Sequence, residues 1–297
     1  MPTRALVLGG GGPVGIAWES GLIAGLEEMG VDLTVADFIL GTSAGSFVGA
    51  HLSMGREPSA IVATQLRSQV TVSGSGDQGS QAAPASSSFQ HLIVGAEAGS
   101  IPAEEVRRRV GELALVAKTI SEEEFIFTFG GLLRSLPEDA WPEREYACTA
   151  VDALSGEFVV WKNGSGVGLG RAVASSCSVP GVYPPITING RRYVDGGVRS
   201  STNADIAKDY DKVLVVSVTN PNRDADTAVA ERAQQLLLEQ LQAIRDAGGS
   251  VELIEPDADS IGAFGTNMLD GSRRPVSAES GISQGKTEAD RLGEFWN

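Results

Sequence analysis

Cysteine and histidine are scarce in this sequence of 297 residues. The two cysteines, Cys148 and Cys177, are too few for a disulfide framework, and we interpret them as reduced core residues. The two histidines, His51 and His91, lie far apart, and neither they nor the cysteines have the spacing of metal ligands. We therefore expect neither a metal nor another cofactor.

Positive charge and long apolar runs are scarce as well. The chain has 38 acidic and 23 basic residues, a net charge of −15, so it lacks the basic surface of a nucleic-acid-binding protein. Such a charge also gives no general attraction to anionic membranes. The apolar run near the N-terminus has about five residues, too few for a signal peptide, and no run reaches the roughly 18 residues of a membrane span. The sequence predicts a cytoplasmic protein without a transmembrane segment.

Glycine, in contrast, is abundant, with 37 residues, and many of them cluster after short apolar segments. Ala5–Leu8 has the continuous apolar character of a buried parallel strand, and a helix is predicted from Gly15 to Met29. A second strand at Phe38–Leu40 precedes a helix that continues to about Leu52. Strand, loop and helix in this repeating order predict an α/β fold with a mainly parallel sheet.

The rest of the chain shows no internal repeat and no break in composition, so we predict a single domain over residues 1–297. Residues 71–88 are rich in Ser, Gly, Gln and Ala and predict a flexible loop. Ser121 and Glu124 form a capping box at the start of a helix, and a hairpin is predicted to turn at Leu154–Gly156. Residues 220–297 are interpreted as a helical extension, for which a lid over the site is one role.

The first glycine cluster fits two kinds of site. Gly10, Gly12 and Gly15 satisfy the dinucleotide-binding fingerprint between a strand and a helix. That fingerprint also requires an acidic residue at the end of the second strand, whereas Asp32 and Asp37 both precede this strand. A nucleotide- or dinucleotide-binding protein stays as the alternative function.

The second glycine cluster has the pattern of a nucleophile elbow. Gly41-x-Ser43-x-Gly45 lies between an apolar strand and a helix, as this motif requires. The simpler interpretation is a glycine-rich turn without catalytic function. An elbow would expose the Ser43 hydroxyl at a helix N-terminus, where developing negative charge is stabilised.

Acyl transfer through a serine also needs backbone N–H groups directed at the oxyanion. Gly10, Gly11 and Gly12 follow the first strand, and their amides lack side chains that would keep a substrate away. Pro13 has no N–H, so its role is limited to shaping the loop. We therefore predict an oxyanion hole formed by these three glycines.

The general base is the next question. His51 lies about two helical turns beyond Ser43 and is not expected to reach the hydroxyl. His91 follows the flexible loop and belongs to no motif. Asp195 ends an apolar strand and is followed by two glycines that leave its carboxylate accessible, although an Asp-Gly turn would have the same pattern. Asp195 is the better candidate.

Together these motifs resemble the patatin-like phospholipase family. The resemblance rests on Gly9–Gly15, Gly41–Gly45 and Asp195–Gly197 in this order, and on the segment Ala174–Pro185 before the last motif. It covers residues 5–205. It implies a three-layer α/β/α fold, hydrolysis of lipid esters through an acyl-enzyme, and a Ser–Asp catalytic dyad.

Transferred to this sequence, the resemblance makes Ser43 the nucleophile, Asp195 the general base and Gly10–Gly12 the oxyanion hole. The partner it implies is a lipid or ester substrate, including one presented at a membrane surface. The family often has Arg or Lys where this chain has Val14. That departure shifts the expected substrate from phospholipids toward neutral acylglycerols or small esters.

Overall fold

The computed structural model describes residues 2–67, 101–133, 140–218 and 227–297. The loop predicted at residues 71–88 and His91 lie outside the described residues. Within these ranges the strands are β1 Arg4–Leu8, β2 Phe38–Gly41, β3 Glu145–Asp152, β4 Phe158–Lys162, β5 Ile186–Ile188, β6 Arg191–Asp195, β7 Lys212–Val216 and β8 Ser250–Ile254. The α-helices described are α1 Gly12–Glu28, α2 Ala44–Ser53, α3 Pro58–Leu66, α4 Ala103–Val116, α5 Glu122–Leu133, α6 Leu169–Ser176, α7 Thr227–Asp246, α8 Ala258–Phe264 and α9 Arg274–Trp296.

All eight strands form one sheet. Its order is β5-β6-β3-β2-β1-β7-β8, and β4 pairs with β3 outside this path. In this sheet order, the neighbouring strands β3, β2, β1, β7 and β8 run parallel to one another. Strands β4, β5 and β6 are joined to the sheet by antiparallel pairs. The predicted α/β fold with a mainly parallel sheet is therefore confirmed.

The alternation of side chains along β1 builds two separate cores. Leu6 and Leu8 face the large core that contains Trp18 and Leu22 of α1. Ala5 and Val7 face the opposite core, whose helix residues are Leu237, Leu241 and Ile244 of α7. Because helices cover both faces of the sheet, the architecture has three layers, α/β/α.

The C-terminal part of the chain belongs to these layers. β8 pairs in parallel with β7, so the predicted helical extension over residues 220–297 also contains a strand. Helix α9 packs along α1 at backbone contact: a Cβ at Gly21 would collide with the Ala278 carbonyl, and a Cβ at Gly281 with that of Trp18. The two helices approach this closely because both positions lack a side chain.

Local predictions agree with the structure where short-range chemistry determines the element. The Ser121 hydroxyl accepts the Glu124 N–H at 3.0 Å, as a capping box requires. The hairpin of β3 and β4 turns between Asp152 and Phe158 as predicted. Among the described residues, no helix combines the length and the hydropathy needed to cross a bilayer.

Candidate active site

Ser43 occupies a strained turn between β2 and α2. Its φ of 52° and ψ of −116° lie in a region that residues with a side chain rarely adopt. A Cβ at Gly41 would collide with Ser46, and a Cβ at Gly45 would collide with the carbonyl of Leu8. The turn therefore requires glycine on both sides of Ser43, as the elbow pattern predicts.

Three hydrogen bonds with side chains help to hold the Ser43 backbone in this conformation. Its N–H donates to the Ser176 hydroxyl at 3.0 Å. Its carbonyl accepts the Ser46 hydroxyl at 2.6 Å and the Cys177 thiol at 3.2 Å. Burial raises the pKa of the Cys177 thiol, with the nearby Asp195 as a second cause, so this sulfur keeps its proton and can donate. Ser176 and Cys177 close α6, so this helix supports the turn from behind.

The sheet register brings Asp195 to the same place. Cys148 of β3 pairs with Gly41 of β2 on one edge and with β4 on the other. Ala150 of β3 pairs with Asp195 of β6 and, on the opposite edge, again with β4. β2 and β6 therefore share one edge of β3 and run toward each other. Their carboxyl ends meet across Thr149, the residue between Cys148 and Ala150.

Thr149 fills the gap between the two strand ends. Its hydroxyl lies 2.9 Å from the Thr42 hydroxyl, next to Ser43. On the other side it packs so closely against Gly196 that a Cβ there would collide with it. Asp195 is buried, and its Oδ1 accepts the Gly197 N–H at 2.7 Å, which fixes the carboxylate plane. The structure thus brings together the two residues for which the sequence predicts catalysis.

The glycine loop between β1 and α1 closes the site from a third side. The Cβ position of Gly10 lies 3.9 Å from Ser43 Oγ, so the loop backbone runs beside the hydroxyl. The Gly10 N–H donates to the Ser201 carbonyl at 2.8 Å and is already occupied. The amides of Gly11 and Gly12 have no hydrogen-bond partner within the described ranges. The oxyanion hole of Gly10–Gly12 stays a prediction, for which the occupied Gly10 amide favours Gly11 and Gly12 as donors.

Sequence reasoning missed a third free amide. The Ala44 N–H at the start of α2 also lacks a partner among residues 2–67, 101–133, 140–218 and 227–297. The residue that follows a nucleophilic serine is a common oxyanion donor, so the elbow pattern itself contained this signal. Asn203, which contacts both strand ends, was also missed and is described below.

The other candidates lie elsewhere. His51 is buried in the last turn of α2, where Nδ1 lies 2.9 Å from the Phe47 carbonyl and the ring packs on Phe47. Asp32 caps a short 3₁₀ helix, and Asp37 accepts the Arg4 N–H, so neither stands at the end of β2 as the dinucleotide fingerprint requires. Within the part of the chain that the structure describes, no group of His, Cys, Asp and Glu has the arrangement of a metal site.

The fold and the site define an α/β protein in which a serine turn, an aspartate and a glycine loop meet at the carboxyl ends of the strands. A family model described as Patatin-like phospholipase matches residues 6–208, more than half of the chain. The chain belongs to the patatin-like phospholipase family.

Individual proteins are also similar to this chain. Patatin-like phospholipase domain-containing protein 7 of Mus musculus is 27% identical over 222 residues, which are 74% of this chain and 14% of that protein. The chain thus spans about a seventh of the length of this curated relative. VipD from Legionella pneumophila is similar with a TM-score of 0.46 and 14% identity over 98% of this chain and 67% of that one. The type III effector protein ExoU has a TM-score of 0.38 and 18% identity over 96% and 54% of the two chains.

Proposed function

We propose that this protein hydrolyses carboxylic esters of lipids through a Ser43–Asp195 dyad. The observation that carries the proposal is the end-to-end meeting of β2 and β6 across Thr149, which brings a strained serine turn and a buried carboxylate to one point. The family match to patatin-like phospholipases supports the same reaction class.

In the proposed reaction, Asp195 accepts the Ser43 proton while Oγ attacks the ester carbonyl carbon. The tetrahedral intermediate collapses, the bond to the alcohol oxygen breaks, and the alcohol leaves with the proton from Asp195. A water molecule then attacks the acyl-enzyme, again with Asp195 as the base, and releases the carboxylic acid and free Ser43. A carboxylate is a weak base for a hydroxyl, so the step depends on a short, oriented contact.

The backbone supplies the charge stabilisation that this weak base requires. The N–H groups of Gly11 and Gly12, which have no partner among the described residues, stand at the N-terminus of α1, and the N–H group of Ala44, equally without a described partner, stands at the N-terminus of α2. Both helix dipoles favour negative charge at this point. We assign the oxyanion hole to these amides, with the Gly10 amide holding the loop in shape through Ser201.

The substrate class follows from what lines the site. Val14 is fully buried in the large core, so the position that often carries a cation in the family offers no charge to a phosphate headgroup. Tyr183, in the segment before β5, packs its ring 4.7 Å from that of Phe125, and we propose that this pair forms an apolar wall for the acyl chain. We therefore propose neutral acylglycerols or other uncharged esters as substrates. Because the chain has a net charge of −15, we expect it to take them from a lipid surface without strong negative charge. The two buried free thiols fit a reducing, cytoplasmic setting.

Labelling with a fluorophosphonate probe tests the assignment directly. The wild-type protein is expected to label at Ser43, and Ser43→Ala is expected to lose both labelling and hydrolysis of a p-nitrophenyl acyl ester. The matched control is Ser272→Ala, which removes an exposed hydroxyl outside the site and is expected to label like wild type. Full turnover by folded Ser43→Ala would refute the nucleophile assignment.

The nucleotide-binding alternative makes the opposite prediction in the same samples. A binding protein that uses Gly10–Gly15 would not label at Ser43, and its melting temperature would rise when a nucleotide is added. Labelling without a nucleotide-dependent shift supports the hydrolase.

A further inference from the structure

Asn203 lies behind the two strand ends, between Asp195 and β7. Its side chain is fully buried, and its backbone has the left-handed conformation, with φ of 52° and ψ of 35°. Asparagine adopts this conformation more readily than most residues. The residue therefore stands where a turn directs a polar amide into the interior.

The amide nitrogen of Asn203 is within hydrogen-bonding distance of four oxygens. They belong to the Ser200 carbonyl at 2.8 Å, the Thr42 hydroxyl at 3.1 Å, and the Thr149 hydroxyl and Gly196 carbonyl, both at 3.3 Å. An amide nitrogen has only two hydrogens, so these bonds are shared. Thr42 precedes the serine and Gly196 follows the aspartate, so one side chain contacts the direct neighbours of both.

The amide oxygen of Asn203 is also hydrogen-bonded. Asn203 Oδ1 accepts a hydrogen bond from Arg199 Nη1 at 2.9 Å. The same guanidinium binds both carboxylate oxygens of Asp205, at 2.9 and 2.6 Å. A two-point guanidinium–carboxylate pair restricts the arginine, and the arginine fixes which end of the amide faces the site.

We infer that Asn203 is a positioning residue that sets the separation of Ser43 and Asp195, an inference that rests on the proposed function. β2 and β6 are not hydrogen-bonded to each other, because each pairs with a different half of β3. Among the described residues, Thr149 contacts both neighbours from within β3, and Asn203 donates hydrogen bonds to both of them from the opposite side of the two strand ends. Without its amide, Thr42 and Gly196 lose their shared donor, and the nucleophile and base can drift apart.

The test is Asn203→Gly, because glycine accepts the left-handed backbone without strain while the whole side chain, with its amide, is removed. The matched control is Asn189→Gly: Asn189 has the same φ, 51°, but lies exposed in the turn between β5 and β6. We expect Asn203→Gly to lower kcat by about 100-fold with little change in KM, since small misplacements of reacting groups cost rates of this order. Labelling of Ser43 by the probe is expected to slow in parallel, while Asn189→Gly retains wild-type values.

The outcomes separate this inference from the proposed function. If wild type does not label, the proposed function fails; if wild type and folded Asn203→Gly label at equal rates with equal kcat, only the positioning role fails. If Asn203→Gly does not fold, Arg199→Met decides, because methionine keeps an unbranched aliphatic side chain and removes the guanidinium that donates to Oδ1. A lower kcat at unchanged KM in Arg199→Met supports the role, and unchanged kcat overturns it.

Discussion

At the scale of single residues, the backbone conformation of Ser43 affects the stability of the protein. A serine with φ of 52° and ψ of −116° is costly, and the bonds from Ser46, Ser176 and Cys177 hold it there. Residues in such regions cost on the order of 1–3 kcal/mol and persist where the surroundings enforce them. The site thus holds strain that a residue without a side chain would relieve.

This strain predicts that Ser43→Gly is more stable than Ser43→Ala, although neither hydrolyses ester. We expect the free energy of unfolding, measured with urea, to be higher by about 1 kcal/mol in the glycine variant. Ser46→Gly in the following helix serves as the control and is expected to lose stability, because its backbone is helical and its hydroxyl is bonded. A less stable Ser43→Gly would show that the turn is not strained.

The dyad predicts that catalysis requires Asp195 and neither histidine. Asp195→Asn keeps the side-chain shape but cannot accept the proton, so we expect kcat to fall by about 100- to 10,000-fold. His51→Gln combined with His91→Ala is expected to retain most of the activity in folded protein, because His51 packs on Phe47 two turns away from Ser43. A kcat measured on purified, folded variants decides. Loss of activity in the histidine variant with an active Asp195→Asn would establish a triad instead.

The residues of the site differ in how far the sequence could predict them. Ser43 and Asp195 stand in short motifs whose glycines have a local steric reason, visible without a structure. Asn203 has no such motif, because its role depends on a contact with Thr42 across 161 positions of the chain. The occupied Gly10 amide was equally unpredictable, since its acceptor, Ser201, belongs to a distant loop.

At the scale of elements, α1 contains an unusual buried acid. Glu19 is fully buried, and neither carboxylate oxygen makes a hydrogen bond of normal geometry with the described residues. Burial raises the pKa of Glu19 well above 4.5, opposed only by the backbone N–H of Gly9. In the folded protein the side chain therefore keeps its proton to a higher pH than a glutamate exposed to water does.

This element predicts a pH-dependent stability. The unfolded chain ionises Glu19 above a pKa of about 4.5, whereas the raised pKa of the folded chain delays ionisation to a higher pH. The stability contributed by the protonated Glu19 side chain is therefore fully present below about pH 4.5. As the pH rises from there toward the pKa of the folded state, the free energy of unfolding falls by about 1.4 kcal/mol per pH unit. Glu19→Gln is expected to melt at a higher temperature than wild type at about pH 8 and to lose this advantage near pH 4.

Thermal unfolding curves across this pH range provide the measurement. Glu143→Gln, which changes an exposed acid before β3, is the control and is expected to follow the wild-type pH dependence. A melting temperature of Glu19→Gln that stays below wild type at every pH would mean that the buried carboxyl is stabilising in its charged form.

The sequence predicts the boundaries of helices and strands well where caps and apolar runs define them. It predicts them poorly where pairing with a distant strand defines them. β7 ends at Val216: the Ser217 N–H still donates to the Ile254 carbonyl, while Val218 lies against Gly11 of the glycine loop. β5, of three residues, was missed, although Asn189 and Gly190 after it have the left-handed conformations of a tight hairpin turn. Three residues carry too little periodicity to predict a strand.

At the scale of the whole molecule, the repeating order of strands and helices was enough to predict the layers but not the sheet order. Nothing in the sequence shows that β2 and β6 occupy the same edge of β3, since that depends on where the antiparallel hairpin of β3 and β4 inserts. The motifs predict that Ser43 and Asp195 lie close together, and the register of β2 and β6 on β3 explains how they do so.

The neighbours of the glycine loop also determine when during synthesis the protein becomes active. β1 requires β7 as its partner, and the loop after it is packed by Val218 and by the carbonyl of Met268. When synthesis has reached Asp195, both proposed catalytic residues are present in the nascent chain. The segments that pack on β1 and the glycine loop, β7, Val218 and Met268, have not yet been made. Domains fold as units once their elements are available. A nascent or prematurely terminated chain that lacks these supports is therefore expected to be inert toward lipids, so that the proposed esterase activity appears only after translation has passed Met268.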